Sequence, residues 1–484
     1  MKTLKKYIMC LMPLLICSCS GAMKNNAGML ADANNFYDFQ NTEEYTTITE
    51  NNYFDPNINP TSSFSLDSSS YSYSNIRRLI KNNDTINKDA VNIEQMLNYF
   101  NYSYINNTNE ALSTTLELAS CPWNESHHLA AISVNAKELV VNDSKNNFVF
   151  LIDTSGSMYD KLQLFQESFK LMAKSLNEND TISIVTYANG VKVIANGING
   201  SNKENLVEAV DSLIASGGTN GSGGIQKAYE IASQNFIKDG NNRIILATDG
   251  DFNIGISNQH QLEDFISSKR DSGVYLSIMG YGMGNTKHNT METLAKNGNG
   301  NAYYIDSLYE AKKVFVEELG SVMNTVAKDC KIQVEFNPNK ISKYRLLGYE
   351  NKLLSNDEFN DENTDAGEIG EGHSVIALYE IELKESELDE FYFKTTLRYK
   401  DVKTNELKEN ICEINNVKPA SNDLIFASYV VEFALILRDS KYKGDSSYTH
   451  LINRIDKDIL NDEYKEEFLN LVNRANKNYT LNMD

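Results

Sequence analysis

Residues 146–327 alternate between short apolar runs and amphipathic stretches, and this alternation constrains the fold more than any other feature of the chain. Residues 148–152 are apolar throughout, as expected of a strand that is buried on both faces of a parallel sheet. Further apolar runs at 182–185, 244–247 and 274–279 are separated by helical patterns. The first of these patterns repeats every three or four positions: Leu162, Phe165, Phe169, Met172 and Leu176. The sequence therefore predicts an α/β domain with a central, doubly wound parallel sheet.

The segments on either side of this domain have different patterns. Residues 61–145 combine strand-like alternation with a helical stretch, and we expect an N-terminal α+β domain there. Residues 328–484 begin with closely spaced strand-like segments, which favour antiparallel β structure, and end in helices, so we expect a C-terminal α+β domain. Residues 424–437 are strongly apolar, but they include Glu432 and are too few to cross a bilayer, which predicts a buried helix.

The first 18 residues have the features of a bacterial signal peptide. Three lysines precede a short apolar run, and small residues then lead to Cys19. This order resembles a lipobox, so we expect Cys19 to be lipidated and to anchor the chain to a membrane of the cell envelope, facing the periplasm or the cell surface. A cleaved secretory signal without lipidation is the alternative. The polar residues 19–60 that follow are expected to form a flexible tether.

Charge and cysteine content exclude several classes of protein. The 484 residues include 45 Lys and Arg against 66 Asp and Glu, a formal charge of −21, which argues against a nucleic-acid partner. The cysteines after Cys19 are Cys121, Cys330 and Cys412, and no CxxC pair occurs, which excludes zinc ribbons and thioredoxin-like motifs. Three scattered, buried thiols are the favoured interpretation, and one disulfide is the alternative.

Polar side chains follow the predicted strands at the positions where a doubly wound sheet binds ligands. Asp153-Thr154-Ser155-Gly156-Ser157 comes directly after the first apolar run, and Asp249 follows residues 244–247. Between them, Thr219 follows two glycines at the start of a predicted helix. Two carboxylates and three hydroxyls form an all-oxygen set, which suits Mg²⁺ or another hard divalent cation such as Ca²⁺ or Mn²⁺.

This set resembles the metal-ion-dependent adhesion site of von Willebrand factor type A domains, and all five positions match: Asp153, Ser155, Ser157, Thr219 and Asp249. The resemblance implies that the hydroxyls and acids coordinate the metal directly or through water. It also implies that an Asp or Glu of a protein partner completes the coordination shell.

Several motifs outside this domain look like the flanking domains of bacterial YfbK-type lipoproteins, so the resemblance covers nearly the whole chain after the signal peptide. They are Phe64-Ser65-Leu66-Asp67, Ser74-Asn75-Ile76-Arg77-Arg78, Gly348-Tyr349-Glu350-Asn351, Asp365-Ala366-Gly367-Glu368-Ile369-Gly370 and Leu437-Arg438-Asp439-Ser440-Lys441-Tyr442.

Other functional interpretations of individual motifs fit the sequence less well than the metal site does. Asp153-Thr154-Ser155-Gly156 differs from the aspartic-protease signature in the position of its glycine, and the sequence has no second copy. The segment 361–365 begins like a calcium loop but lacks the required Gly and the bidentate Glu, which favours a solvated acidic loop. The pair His127-His128 is interpreted as part of an ordinary loop. For the five matched positions, the alternative is a degenerate site that binds no metal.

Two classes of function follow from these features. The first is an anchored binding protein that holds the carboxylate of a protein partner through the metal. The alternative is a structural component of an envelope assembly, in which the metal only stabilises the fold. No nucleophile–His–acid set, phosphate-binding loop or pair of glycosidase carboxylates is apparent in the sequence, so we expect no enzymatic activity.

Overall fold

The computed structural model describes residues 43–66, 68–138, 145–218, 223–250, 259–281, 287–318, 324–386 and 388–480. The predicted signal peptide, Cys19 and residues 19–42 of the predicted tether lie outside the described residues, as do Asp67 and Thr219. The described part of the predicted tether, residues 43–60, packs against the folded chain, since Phe54 pairs with Tyr344 and Glu43 forms an ion pair with Arg78.

Sixteen strands are assigned in these residues. They are β1 (Thr61–Ser65), β2 (Leu112–Ser120), β3 (His127–Ala136), β4 (Asn146–Asp153), β5 (Asp180–Tyr187), β6 (Val191–Asn199), β7 (Asn241–Thr248), β8 (Val274–Gly280), β9 (Ala302–Tyr304), β10 (Thr325–Phe336), β11 (Ile341–Leu347), β12 (Leu353–Leu354), β13 (Gly367–Gly370), β14 (Ser374–Leu383), β15 (Phe393–Asp401) and β16 (Leu407–Ile414).

The helices are named in the same way, again for the described part of the chain. They are α1 (Tyr71–Asn82), α2 (Ile93–Leu97), α3 (Leu162–Ala173), α4 (Lys203–Asp211), α5 (Gly224–Gln234), α6 (Gln259–Arg270), α7 (His288–Asn297), α8 (Leu308–Lys312), α9 (Asn356–Asn360), α10 (Asn422–Leu437), α11 (Tyr448–Arg454) and α12 (Glu463–Thr480). A single π-helical turn, Lys313–Glu317, continues α8.

The central sheet confirms the predicted α/β fold. Its strand order is β6-β5-β4-β7-β8-β9, and every neighbouring pair is parallel except β5 and β6. Successive residues of β4 enter different cores, because Phe150 and Ile152 belong to one apolar cluster whereas Val149 and Leu151 belong to another. Both faces of the strand are therefore buried, which explains why its sequence is apolar without alternation.

The two flanking segments share their sheets. One antiparallel sheet has the order β12-β1-β10-β15-β16, with β13 also paired to β10, and the other has the order β11-β14-β3-β2. Strands from both ends of the chain pair directly, since β1 pairs with β10 and β3 with β14. One apolar core includes residues of both sheets, such as Phe64, Ile332 and Tyr379. The central domain thus connects two segments that form one antiparallel structure, and β10 spans the predicted boundary at residues 327 and 328.

The apolar helix predicted at 424–437 is α10, and it is buried. Glu432, in the middle of this helix, is fully buried, contacts the His450 ring and forms an ion pair with Arg454, both of α11. Among the residues that the structure describes, no helix combines the length and the apolar character needed to cross a membrane. The thiols of Cys121, Cys330 and Cys412 are free, as favoured, and Cys121 and Cys330 are buried, whereas Cys412 is only partly buried.

A buried arginine attaches the flanking helices to the end of the central domain. Arg77 of α1 is fully buried, and its guanidinium lies 2.5 Å from Asp306 and 2.7 Å from Glu310 of α8. It also donates a hydrogen bond to the Tyr99 hydroxyl. Removing Arg77 would leave the buried carboxylates without this counter-charge, and breaking a buried ion pair in this way costs about 3–5 kcal/mol.

Glu368 of β13 lies at a second polar contact between the flanking segments and the central domain. Its side chain lines a cavity of about 40 Å³ together with residues of α7 and of the segment after β1. Its Oε2 atom accepts no hydrogen bond from any residue that the structure describes. Burial raises the pKa of Glu368 to about 8, and Asp329 adds to this effect while Lys328 opposes it.

We expect Glu368→Gln to make the stability of the protein less dependent on pH. Because the pKa of Glu368 is higher in the folded state than its ordinary 4.5, its contribution to stability is complete below about pH 4.5 and is lost as the pH rises to about 8. Between pH 5 and pH 8.5, the free energy of unfolding of the wild type should fall by on the order of 4 kcal/mol more than that of the variant. Urea denaturation measures this difference. The control variant Glu413→Gln, at an exposed position, should follow the wild type.

Candidate metal site

The first loop of the site begins where β4 ends. Asp153, the last residue of the strand, is fully buried, and its Oδ1 atom accepts a hydrogen bond of 2.8 Å from the backbone N–H of Ser155. The Oγ atoms of Ser155 and Ser157 lie 2.9 Å apart. Ser155 is buried and Ser157 is exposed, so the two hydroxyls form a continuous polar path from the interior to the surface.

The second loop is held against the first by backbone hydrogen bonds. The N–H of Ser216 donates to the carbonyl oxygen of Thr154 over 2.9 Å, and the N–H of Gly156 donates to that of Gly217 over 3.0 Å. Thr219 itself lies outside the described residues, but it follows Gly217 by only two positions. The structure therefore brings the chain next to Thr219 into contact with the loop that carries the two serines.

The third element of the site follows β7. Asp249 is fully buried, directly after a strand that pairs in parallel with β4. The carboxyl ends of both strands lie at the same edge of the sheet, so Asp153 and Asp249 are neighbours there. Burial raises the pKa of Asp153 to about 6, and although hydrogen bonds from Ser155 oppose this rise, the charge of Asp249 adds to it.

Lys161 belongs to the site and was not predicted from the sequence. Its Nζ atom lies 3.2 Å from Oδ2 of Asp249 and is largely buried. Lys161 directly precedes α3, so it reaches Asp249 through the three-dimensional arrangement of helix and sheet and not through a recognisable motif. The only sequence signal is a basic residue four positions after Ser157.

The residues that are present fit a hard divalent cation. Oδ2 of Asp153 is buried and receives no hydrogen bond of standard geometry from the described residues, although the buried Tyr187 hydroxyl interacts with this carboxylate. Carboxylate and hydroxyl oxygens are the donors that such ions take. No group of three or more His, Cys, Asp or Glu that could hold a metal occurs in the described ranges. The predicted site contains only two residues of these types, Asp153 and Asp249, because its other three ligands are hydroxyls.

The acidic segment 361–365 is stabilised by a lysine. Nζ of Lys331 donates hydrogen bonds to the carbonyl oxygens of Glu358 and Asp361, at 3.2 Å and 2.6 Å. The Asp361 carboxylate accepts a hydrogen bond from the N–H of Asn363, as in a common polar turn. These contacts account for the segment without a bound ion.

The interpretation of His127-His128 as a loop pair is wrong, because both residues belong to β3. His127 is buried, and its Nδ1 atom lies 2.6 Å from Glu380 of the neighbouring strand β14. Burial alone would raise the pKa of Glu380, but the contacts with His127 and Arg345 lower it to about 2. The sequence could not show this pairing, since 253 residues separate the two partners.

Comparisons with known proteins identify the family. The family model "von Willebrand factor type A domain" matches residues 147–317, "von Willebrand factor" matches 39–131, and "Uncharacterized protein YfbK, C-terminal" matches 321–477. The chain is 37% identical over 449 residues to "Uncharacterized protein YfbK" of Escherichia coli, covering 86% of this chain and 78% of the relative. The chain belongs to the YfbK family. As the sequence predicted, it carries a von Willebrand factor type A domain, which indicates a function in protein interaction or adhesion.

More distant similarities extend beyond the YfbK family. Inter-alpha-trypsin inhibitor heavy chain H3 of Mesocricetus auratus is 26% identical over 207 residues, which are 40% of this chain and 23% of that relative. Among solved structures, a von Willebrand factor type A protein from Catenulispora acidiphila is similar, with a TM-score of 0.44 and 16% identity. The similarity covers 77% of this chain and 91% of that one.

The second loop depends on glycine at position 217, and this dependence can be tested. Gly217 has a φ of +83°, and a Cβ atom there would lie 2.1 Å from the Asn189 side chain. We expect Gly217→Ala to lower the free energy of unfolding by about 1–3 kcal/mol, measured by urea denaturation. The matched control is Gly190→Ala, where an added Cβ atom would meet nothing within 4 Å. A change of similar size in both variants would contradict this account of the loop.

Proposed function

We propose that this protein binds a protein partner through a divalent cation held by Asp153, Ser155, Ser157, Thr219 and Asp249, and that it does not catalyse a reaction. Mg²⁺ is the preferred ion, with Ca²⁺ and Mn²⁺ as alternatives of the same hard class. The observation that carries the proposal is the buried Asp153 carboxylate. One of its oxygens orders the serine loop, and the other is buried without a hydrogen bond of standard geometry from any described residue.

Each residue of the proposed site has a separate task. Asp153 orders the loop by accepting the N–H of Ser155, which brings the two serine hydroxyls side by side. Asp249 adds a second buried negative charge, and Lys161 partly neutralises it. When bound, the cation supplies a coordination position for an incoming carboxylate oxygen. The partner therefore has to present an Asp or Glu side chain.

The charge of the chain supports a requirement for the ion. With a formal charge of −21, the protein repels an acidic partner at long range. A local positive charge at the carboxyl edge of the sheet would reverse this effect over a few ångströms, within the screening length of physiological salt. Binding would therefore depend strongly on the cation.

We also propose that the protein is a lipoprotein of the cell envelope, attached to a membrane through an acylated Cys19. The support for this proposal is the order of basic, apolar and small residues before Cys19. Such an anchor would keep the binding domain at the membrane surface, which raises its local concentration for partners in the same layer.

Asp153→Asn tests the metal site with a nearly isosteric change. We expect calorimetric titration of the full chain with MgCl₂ to give saturable binding for the wild type, and at least tenfold weaker binding for the variant, because the loop loses a charged ligand. EDTA should leave the far-UV circular dichroism of the wild type largely unchanged. The matched control is Asp361→Asn, in the rival acidic segment. Equal heats of Mg²⁺ binding for the wild type and Asp153→Asn would show that the ion does not bind at Asp153.

Cys19→Ala tests the anchor. In cells, the variant should leave the membrane fraction and appear in the soluble fraction, because it lacks the residue that carries the proposed acyl chains. Cys17→Ala, two residues earlier, should remain with the membranes as the wild type does. Immunoblots of separated fractions measure both outcomes. If Cys19→Ala remained membrane-bound, the lipoprotein proposal would fail.

A further inference from the structure

An open cleft of about 430 Å³ adjoins the candidate metal site. We call it the β6 cleft, because β6 forms one of its walls. The loop after α4 and the end of β5 form the other walls. The residues used below are Thr154, Lys192, Ile194, Leu213, Ile214 and Ser216, all of which line it.

The cleft adjoins the first loop of the candidate metal site, because Thr154 lines it. Thr154 lies between the two predicted ligands Asp153 and Ser155, and its carbonyl oxygen accepts a hydrogen bond from the N–H of Ser216 on the opposite wall. One residue that lines the cleft is therefore the chain neighbour of two predicted ligands. A ligand seated in the cleft lies beside the loop that would hold the ion.

The walls of the cleft expose apolar side chains. Ile214 is 78% exposed and Ile194 is 37% exposed, next to the buried Leu213. β6 is the last strand at its edge of the central sheet. Edge strands are sites where proteins either block or accept an extended chain. The apolar walls therefore provide contact surface for one large apolar side chain of such a chain.

The charge of the cleft is unlike that of the whole protein. No Asp or Glu is among the described residues that line it, and Lys192 adds a positive charge. The chain as a whole carries 66 Asp and Glu. An acidic segment of a partner therefore meets less repulsion here than over most of the surface, and it is attracted to both Lys192 and the proposed ion.

We propose that the β6 cleft selects the partner by binding an apolar side chain of an extended acidic segment whose Asp or Glu reaches the metal site. This proposal rests on the proposed function. Residues of an extended chain are spaced by about 3.3–3.6 Å, so three positions span roughly 10 Å, and we take this as the reach from the acidic residue to the apolar one. The ion supplies attraction for any accessible carboxylate, and the cleft supplies specificity.

The test uses a synthetic library of short peptides, each with one fixed Asp and randomised neighbours, on the full chain in MgCl₂. We expect Mg²⁺-dependent retention of peptides that carry a large apolar residue within three positions of the Asp. For one selected peptide, Ile214→Asp should weaken binding at least tenfold, while the calorimetric titration with MgCl₂ stays unchanged. Ile411→Asp, at a 62% exposed position of β16, is the matched control and should bind as the wild type does.

The failures of the two proposals are distinguishable. Mg²⁺-dependent binding of acidic peptides without an apolar preference, or with no effect of Ile214→Asp, would overturn the role of the cleft and leave the metal site intact. Mg²⁺ binding without retention of any peptide would also overturn the role of the cleft. If the titration showed no Mg²⁺ binding to the wild type, the proposed function itself would fail.

Discussion

The burial of two neighbouring carboxylates is the constraint on which the candidate site depends. Asp153 and Asp249 are fully buried at the ends of adjacent parallel strands. A buried charge is costly unless it is paired. The N–H of Ser155 and the ammonium group of Lys161 offset part of this cost. The polar groups of both loops are therefore organised around negative charge, and this arrangement is the physical basis for proposing a cation there.

The flanking segments support this domain as one structure. Strands from before and after the central domain pair with each other, as β1 does with β10, so both ends of the domain continue into the same antiparallel sheets. Arg77, buried between Asp306 and Glu310, attaches the flanking helix α1 to the end of the domain. Separating the domain from its flanks would break this cluster and expose apolar surface. Measurements on the full chain therefore represent the protein better than those on a fragment.

Much of the central domain could be predicted from the sequence, because a strand buried on both faces leaves a continuous apolar run. Asp153 and Asp249 were found for the same reason, since each comes directly after such a run. Strand β6 was missed, because as a largely exposed edge strand it has no such run. The contact between Lys161 and Asp249 and the pairing of β1 with β10 were also missed. They join residues far apart in the chain, and no local pattern encodes them.

A crystal of the full chain grown with MnCl₂ would test the central claim most directly, because the anomalous scattering of manganese locates the ion without reference to any assay. The account predicts one strong anomalous peak at the carboxyl edge of the central sheet, beside the hydroxyls of Ser155 and Ser157. The absence of a peak there at saturating Mn²⁺, or a single peak elsewhere in the molecule, would contradict it.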